Sequence, residues 1–397
     1  MRSFRIGSAF GIPIKLDLTF LLILPVFAYL IGSQIEPTAQ LLNDVWMADI
    51  AVEPLTAGLM PWIVGIVAAL GLFVGVVLHE LGHSLVAMRY DVPIDAITLW
   101  IFGGIASMEE IPEDWRQELA ISVAGPIVSV VLGVICYVAF LQVPSGLSAI
   151  RFVLGYLAVL NVVLAIFNML PGFPMDGGRV LRALLARTRP YARATQIAAE
   201  VGKAFAILLG LWGLFTLQFI PIGIAFFIYI GASSEAQQVT LKAAFEGVTV
   251  RDVMTPSSNL HTVPPDASIA ELVERMFQER HTGYPVVENG ELVGLVTLDD
   301  AREVKPIERD AFEVRDVMTT DLTTIDLDAD AMTALESMQR ERIGRLLVTD
   351  RADNLVGLIS RSDLMTAFDI IRSSGSLKGE RRTGPGEEAG EPSRESF

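Results

Sequence analysis

The sequence predicts a polytopic α-helical membrane domain of about six spans with a short re-entrant or β-hairpin element, followed by a soluble α/β pair of units. Three observations carry that expectation. The 397 residues are 52% hydrophobic and only 19% charged, too apolar for one soluble globule. Nearly all the long uncharged runs lie before about residue 236, so the two halves face different solvents. In the second half, a segment recurs after about sixty residues.

In chain order, apolar runs long enough to cross a hydrocarbon core, which takes about 20 residues, occur near 16–33, 61–88, 117–142, 150–170, 199–217 and 218–236. The last two are parted only by Pro221 and its neighbours, and they read as a tight hairpin or as one broken segment. Arg2, Arg5 and Lys15 precede the first run and no small-residue cleavage site follows it, so it reads as a retained span. Lys and Arg are absent from 34–60, from 143–150 and around 217–222, whereas Arg179, Arg182, Arg187, Arg189 and Arg193 crowd the loop after the fourth run. The positive-inside rule then predicts a multi-pass cell-membrane protein with its N-terminus, that loop and the C-terminal half in the cytoplasm.

The net charge of −16 argues against a basic nucleic-acid-binding surface, and no nucleic-acid partner is expected. The single cysteine, Cys136, lies in an apolar run, which excludes an intramolecular disulfide and a thiolate cluster. Any metal here must use histidine and carboxylate.

His79-Glu80-Leu81-Gly82-His83 supplies both imidazoles. Two histidines four apart lie on one helix face and can grip one zinc, with the intervening Glu beside it as a base. These ionisable residues end a run that is otherwise apolar from Pro61, and intramembrane charge costs roughly 2.5–3.5 kcal/mol or more per residue. A tetrahedral zinc needs a further ligand, and Asp176 is the candidate at matching depth. It lies in Asn168-Met-Leu-Pro-Gly-Phe-Pro-Met-Asp176-Gly-Gly-Arg179, past the inner end of the fourth span, where His79 and His83 also arrive. Its prolines and glycines break the helix, and irregular backbone at membrane depth is tolerated only where protein or a wet cavity surrounds it.

His79 to His83, with Asn168 through Gly177, resembles the site-2 protease family of intramembrane metalloproteases across the whole membrane half. The resemblance implies one zinc per chain on His79, His83 and Asp176, water activation by Glu80, and an oxyanion or substrate contact at Asn168. Met175 stands before the Asp where some members have Pro. Ile101–Met108, with paired Gly103 and Gly104, reads as a short strand or re-entrant loop and is similar to the family's membrane-edge hairpin. Such an edge would bind an unwound substrate through Phe102, Gly103, Gly104 and Ile105 by adding a strand, or it is a surface hairpin with no substrate role. Gly125-Pro126 in the third span reads as helix packing.

In the soluble half, Val250-Arg-Asp-Val-Met-Thr255 recurs as Val314-Arg-Asp-Val-Met-Thr319, and Gly294-Leu-Val-Thr-Leu-Asp-Asp300 recurs as Gly357-Leu-Ile-Ser-Arg-Ser-Asp363. Each unit reads as a helix near 268–280 or 331–342, strands near 284–288 and 292–297 or 345–349 and 355–360, and a closing helix. The repeat resembles a tandem pair of CBS (cystathionine-β-synthase) domains over 247–372, divided at about 247–308 and 311–372. That resemblance implies an adenine nucleotide (AMP, ADP or ATP) as regulatory ligand at Thr297, Asp300, Ser360 and Asp363. Strand-ending polar residues also form turns, so a purely structural pair is the other reading. His261 and His281 are assigned to solvent or structure. Residues 373–397 read as a disordered tail, and 1–236 as the membrane domain.

The function expected from these features is hydrolysis of transmembrane protein substrates within the membrane lipid, with regulation and homodimerisation through the paired domains. The alternatives are a transporter or channel gated by the same pair, or an inactive membrane scaffold. Transport leaves the HExxH segment without a use and usually shows paired halves, and the intact Glu80 argues against a scaffold.

Overall fold

The computed structural model describes residues 3–100, 103–108, 112–352 and 354–374. Phe102 and residues 375–397 of the expected tail lie outside them, whereas Ser373 and Ser374, expected in that tail, end a helix. The described chain divides into two units, Met1–Val239 and Thr240–Phe397.

The first unit opens with strands β1 (Ser3–Ala9) and β2 (Ile12–Asp17), which the sequence reading did not anticipate. Asp17 then caps the next helix by accepting the Thr19 N–H at 3.0 Å. That helix, α1 (Leu18–Ser33), bends by 58° into α2 (Ile35–Trp46), so the first apolar run is continued by an amphipathic helix rather than ending at a loop. After the short α3 (Glu53–Thr56) come α4 (Met60–Met88), β3 (Ile94–Trp100), β4 (Gly103–Met108), α5 (Trp115–Gln142) and α6 (Ser148–Asn168). The unit ends with α7 (Asp176–Ala186), α8 (Tyr191–Phe215) and α9 (Phe219–Ala244).

Among the described residues, five helices are long and apolar enough to cross a membrane, or six if the bent α1–α2 pair counts as one span. The last two runs are separate helices joined by a tight turn at Leu217, which has positive φ. Large apolar side chains such as Leu22, Trp62, Ile166, Leu208 and Phe226 remain exposed along these helices, as expected where lipid is the solvent.

Helix α4 packs between α1 and α5, and α5 also packs on α6. Beside them lies a four-stranded sheet in the order β1-β2-β3-β4, antiparallel except for the β2–β3 pair, with β4 at one edge. Arg179 and Arg182, expected in a loop, instead lie inside α7, and Arg182 is fully buried.

The second unit adds the turns α10 (Val250–Val253) and α13 (Val314–Val317) and the helices α11 (Ile269–Glu279), α12 (Leu298–Glu303), α14 (Ala331–Arg340) and α15 (Arg361–Ser374). Its strands are β5 (Thr255–Pro256), β6 (Gly283–Glu288), β7 (Glu291–Thr297), β8 (Thr324–Asp326), β9 (Arg345–Thr349) and β10 (Leu355–Ser360). The repeats exchange their opening turns. β5 of the first repeat pairs with β10 of the second, while Thr319 of the second bridges to Leu295 of the first. Val250 accordingly packs among Leu335, Leu346 and Ile359, and Val314 among Ile269, Leu272 and Val286.

The exchange explains both recurrent motifs at once. A Cβ on Gly294 would meet the Met318 sulfur at 2.5 Å, and one on Gly357 would meet the Met254 sulfur at 2.7 Å. The glycine of each strand motif therefore makes room for the methionine of the other repeat's V-R-D-V-M-T.

Candidate metal centre

His79 and His83 lie one turn apart on α4, and Asp176 opens α7 after the broken segment 169–175. The fold brings all three together: Nε2 of His79 and Nε2 of His83 are 3.1 Å apart, and Oδ2 of Asp176 lies 3.1 Å from the first and 3.2 Å from the second. All three residues are buried.

Helix α5 fixes the far side of each ring. His83 donates its Nδ1–H to the Ile121 carbonyl at 2.7 Å, and His79 Nδ1 meets the Ser129 hydroxyl at 2.9 Å. Because a carbonyl only accepts, the neutral His83 ring must present Nε2 as a bare lone pair, facing a second imidazole nitrogen and a carboxylate oxygen. A bare imidazole nitrogen, a second imidazole nitrogen and a carboxylate oxygen that converge in a buried site suit a cation. For ligand bonds of about 2.0–2.2 Å, tetrahedral coordination sets donor atoms roughly 3.3–3.6 Å apart, close to the observed triangle. The residues therefore fit zinc, in a nitrogen and oxygen donor set with partners behind the rings that orient them.

Gly125, which the sequence reading assigned to packing, has a more direct role. A Cβ there would run into His83 Nε2, and would lie 2.7 Å from His79 Nε2. The missing side chain is what gives the ligand atoms their space. The signal was present in Gly125-Pro126-Ile-Val-Ser129, but nothing in the sequence aligned that stretch with His79.

Glu80 is half-buried on the face of α4 toward β4. A Cβ on Gly104 would fall 2.6 Å from Glu80 Cγ, so the outermost strand of the sheet lies against this carboxylate's side chain. Gly103, Gly104 and Ile105 are all in β4. Asn168 ends α6 half-buried, donating Nδ2–H to the Leu164 carbonyl of its own helix at 3.0 Å, and among the described residues no hydrogen bond joins it to the three ligand atoms. Asn161, one further residue that sequence reasoning passed over, is buried two turns earlier with its Oδ1 unpartnered among the described residues. It faces Gly75, one turn before His79.

In the soluble unit, Thr297 donates both its N–H and its hydroxyl to Asp300 Oδ2 at 2.7 Å, and Ser360 donates likewise to Asp363 at 2.8 and 2.7 Å. Both pairs are helix-capping boxes. Arg345 of the second repeat reaches the first, donating to the Thr282 carbonyl at 2.9 Å and to its hydroxyl. Burial pulls the Arg345 guanidinium below the usual arginine range, opposed by the charges of Asp363 and Asp299. His261 bonds Glu279 at 2.9 Å, a partner that the assignment to solvent or structure had not specified.

A multi-span unit with two imidazoles, a carboxylate and an adjacent glutamate defines a membrane metallohydrolase. The model of peptidase family M50 matches residues 67–152 and 144–209, and the CBS domain model matches 250–306 and 314–370. A zinc metalloprotease of Methanocaldococcus jannaschii is 35% identical over 95% of this chain and 99% of its own length, and a Synechocystis relative is 30% identical over 91% and 94%. The solved site-2 protease of Methanocaldococcus jannaschii is 37% identical, covering 59% of this chain and 95% of its own, with a TM-score of 0.41. The chain belongs to the site-2 protease family, peptidase family M50: it is a multi-pass membrane zinc metalloprotease carrying a CBS pair.

Proposed function

We propose that this chain is an endopeptidase that hydrolyses membrane-protein substrates within or beside the bilayer, using one zinc on His79, His83 and Asp176. The observation that carries the reading is the buried triangle of two imidazole nitrogens and a carboxylate oxygen with Glu80 beside it, against an edge strand. Zinc held by these residues would supply a Lewis acid for the scissile carbonyl and would acidify water. Glu80 is the base that takes a proton from the attacking water and returns it to the leaving amine.

Phe102, Gly103, Gly104 and Ile105 receive the substrate by strand addition to β4, which delivers an unwound segment beside Glu80. Asn168 contributes the oxyanion or substrate contact by turning its amide from Leu164. Lipid surrounds the spans. The charge distribution along the chain supports a cytoplasmic N-terminus and a cytoplasmic CBS pair.

The pair regulates the protease by binding an adenine nucleotide (AMP, ADP or ATP) at Thr297, Asp300, Ser360 and Asp363. Arg345, reaching between the repeats near those strand ends, supports an anionic ligand there. Self-association through the pair belongs to the same reading. Cleavage that stays constant across a nucleotide titration, with binding demonstrated, would count against the regulatory part.

The test of the enzymatic part is cleavage of a single-span substrate by purified protein in detergent, comparing wild type with Glu80→Gln and assaying zinc in both. Cleavage by wild type alone, with zinc in both proteins, is the expected result. Equal cleavage by the Glu80→Gln protein would overturn it.

A further inference from the structure

Arg182 has no exposed surface, yet it lies on α7 six residues after Asp176. A buried cation must be offset by close partners, and four elements provide them. Glu118 of α5 accepts the Nε–H at 2.6 Å, and Glu235 of α9 accepts from Nη1 at 2.5 Å. The rings of Phe173 and Tyr191 flank the guanidinium, with centroids 5.0 and 4.8 Å from its carbon.

Each of these partners belongs to an element that bears on the metal centre or leads away from it. Glu118 lies one turn before the stretch of α5 that supplies the Ile121 carbonyl and the Ser129 hydroxyl to the two imidazoles. Phe173 lies in the broken segment three residues before Asp176. Tyr191 begins α8. Glu235 lies on α9, which runs unbroken from Phe219 to Ala244.

We propose that Arg182 is a positioning residue of the metal centre. It locks the helix that presents Asp176 to the helix that steadies His79 and His83, and through Glu235 it gives α9 a hold on the same helix. The inference rests on the zinc reading above. The planar fork is the working part, since it reaches two carboxylates on different helices while its faces meet two rings. Lysine keeps the charge but offers neither the fork nor the face. Glu118 is also buried, so the lock cannot be replaced by water without rearrangement.

The test uses full-length protein in detergent and reads the rate at which bound zinc passes to a chelator, together with the melting temperature. Arg182→Lys should release zinc faster, by up to about tenfold, the low end of what loss of a group bonded directly to a ligand costs a metal site. Glu235→Gln, at a partly exposed position that folding tolerates more readily, should accelerate release by a smaller factor in the same direction. Phe152→Leu, which loosens the apolar cluster around the start of α6, is the control for general weakening. It should lower the melting temperature with little change in release.

Release at the wild-type rate in the Lys and Gln variants overturns the positioning role and leaves the protease reading standing. Acceleration by Phe152→Leu equal to theirs at equal melting temperature also overturns it. Wild-type protein that holds no zinc overturns both readings together. Because release is read without substrate, inactivity of the protease does not obscure the outcome.

Discussion

The metal-centre motif and the paired strand-end motifs differ in what becomes of their polar atoms. In the membrane unit, two imidazole nitrogens and a carboxylate oxygen point at one another from 3.1 to 3.2 Å, buried, with ring partners only on the far side. In the soluble unit, Asp300 and Asp363 each receive a backbone N–H and a hydroxyl from their own helix start. The first arrangement turns the His83 Nε2 lone pair toward two further ligand-type atoms, which suits a cation. The second is complete as a helix cap, so a nucleotide must bind beside satisfied groups or displace them. A buried lone pair facing other ligand-type atoms therefore signals a ligand more strongly than a matched pattern of residue types.

That contrast can be broken at four points, from the largest expected effect to the smallest. Asp176→Ala should remove zinc and cleavage together, exceeding the roughly 10–100-fold loss typical of an outer partner. Metal analysis beside the substrate assay checks it, and full zinc occupancy in the variant would break the comparison on the membrane side. Gly125→Ala should disturb both imidazoles and also cost about 1–3 kcal/mol from overpacking, seen as lost zinc and a lower melting temperature.

Thr297→Ala should cost about 0.5–2 kcal/mol without nucleotide, because the lost bonds are those of a helix cap, and more with ATP present, because the proposed ligand contact is lost as well. Calorimetry of the full chain with and without ATP measures both parts. A stability change seen only with ATP would mean that the hydroxyl serves the ligand rather than the helix.

The smallest effect concerns acid stability. Burial opposes ionisation of Glu279, but hydrogen bonds from Arg275, Tyr284 and His261 pull its carboxyl down to about 2. A carboxyl lowered on folding stabilises the fold above its unfolded value of 4.5, and that contribution fades as pH falls toward about 2. Glu279→Gln should flatten the stability profile of the soluble unit across that window. An unchanged profile would show that the cluster contributes nothing to the fold.

Much of this was legible in the chain. Four-residue spacing placed His79 and His83 on one face, and the shared depth of two spans singled out Asp176. The soluble helices and hairpins followed from period and turn residues. What escaped were features that depend on contacts distant in sequence. Gly125 reads like any span glycine until α5 is laid against α4. Arg182 reads like the other arginines of its stretch, because its partners Glu118 and Glu235 lie 64 and 53 residues away. Strands β1 and β2 are short and glycine-punctuated, with Phe4 and Ile6 exposed, so no buried alternation announced them. The exchange of opening turns between repeats was hidden because each repeat is self-similar, and either partner satisfies the same pattern.

The central claim is that His79, His83 and Asp176 form a zinc site. X-ray absorption at the zinc edge of purified wild type and Asp176→Ala tests it most directly. The account predicts a wild-type shell of imidazole nitrogen and oxygen at about 2.0–2.2 Å, lost in the variant. A wild-type protein without zinc, or a zinc shell lacking imidazole and unchanged in Asp176→Ala, would contradict it.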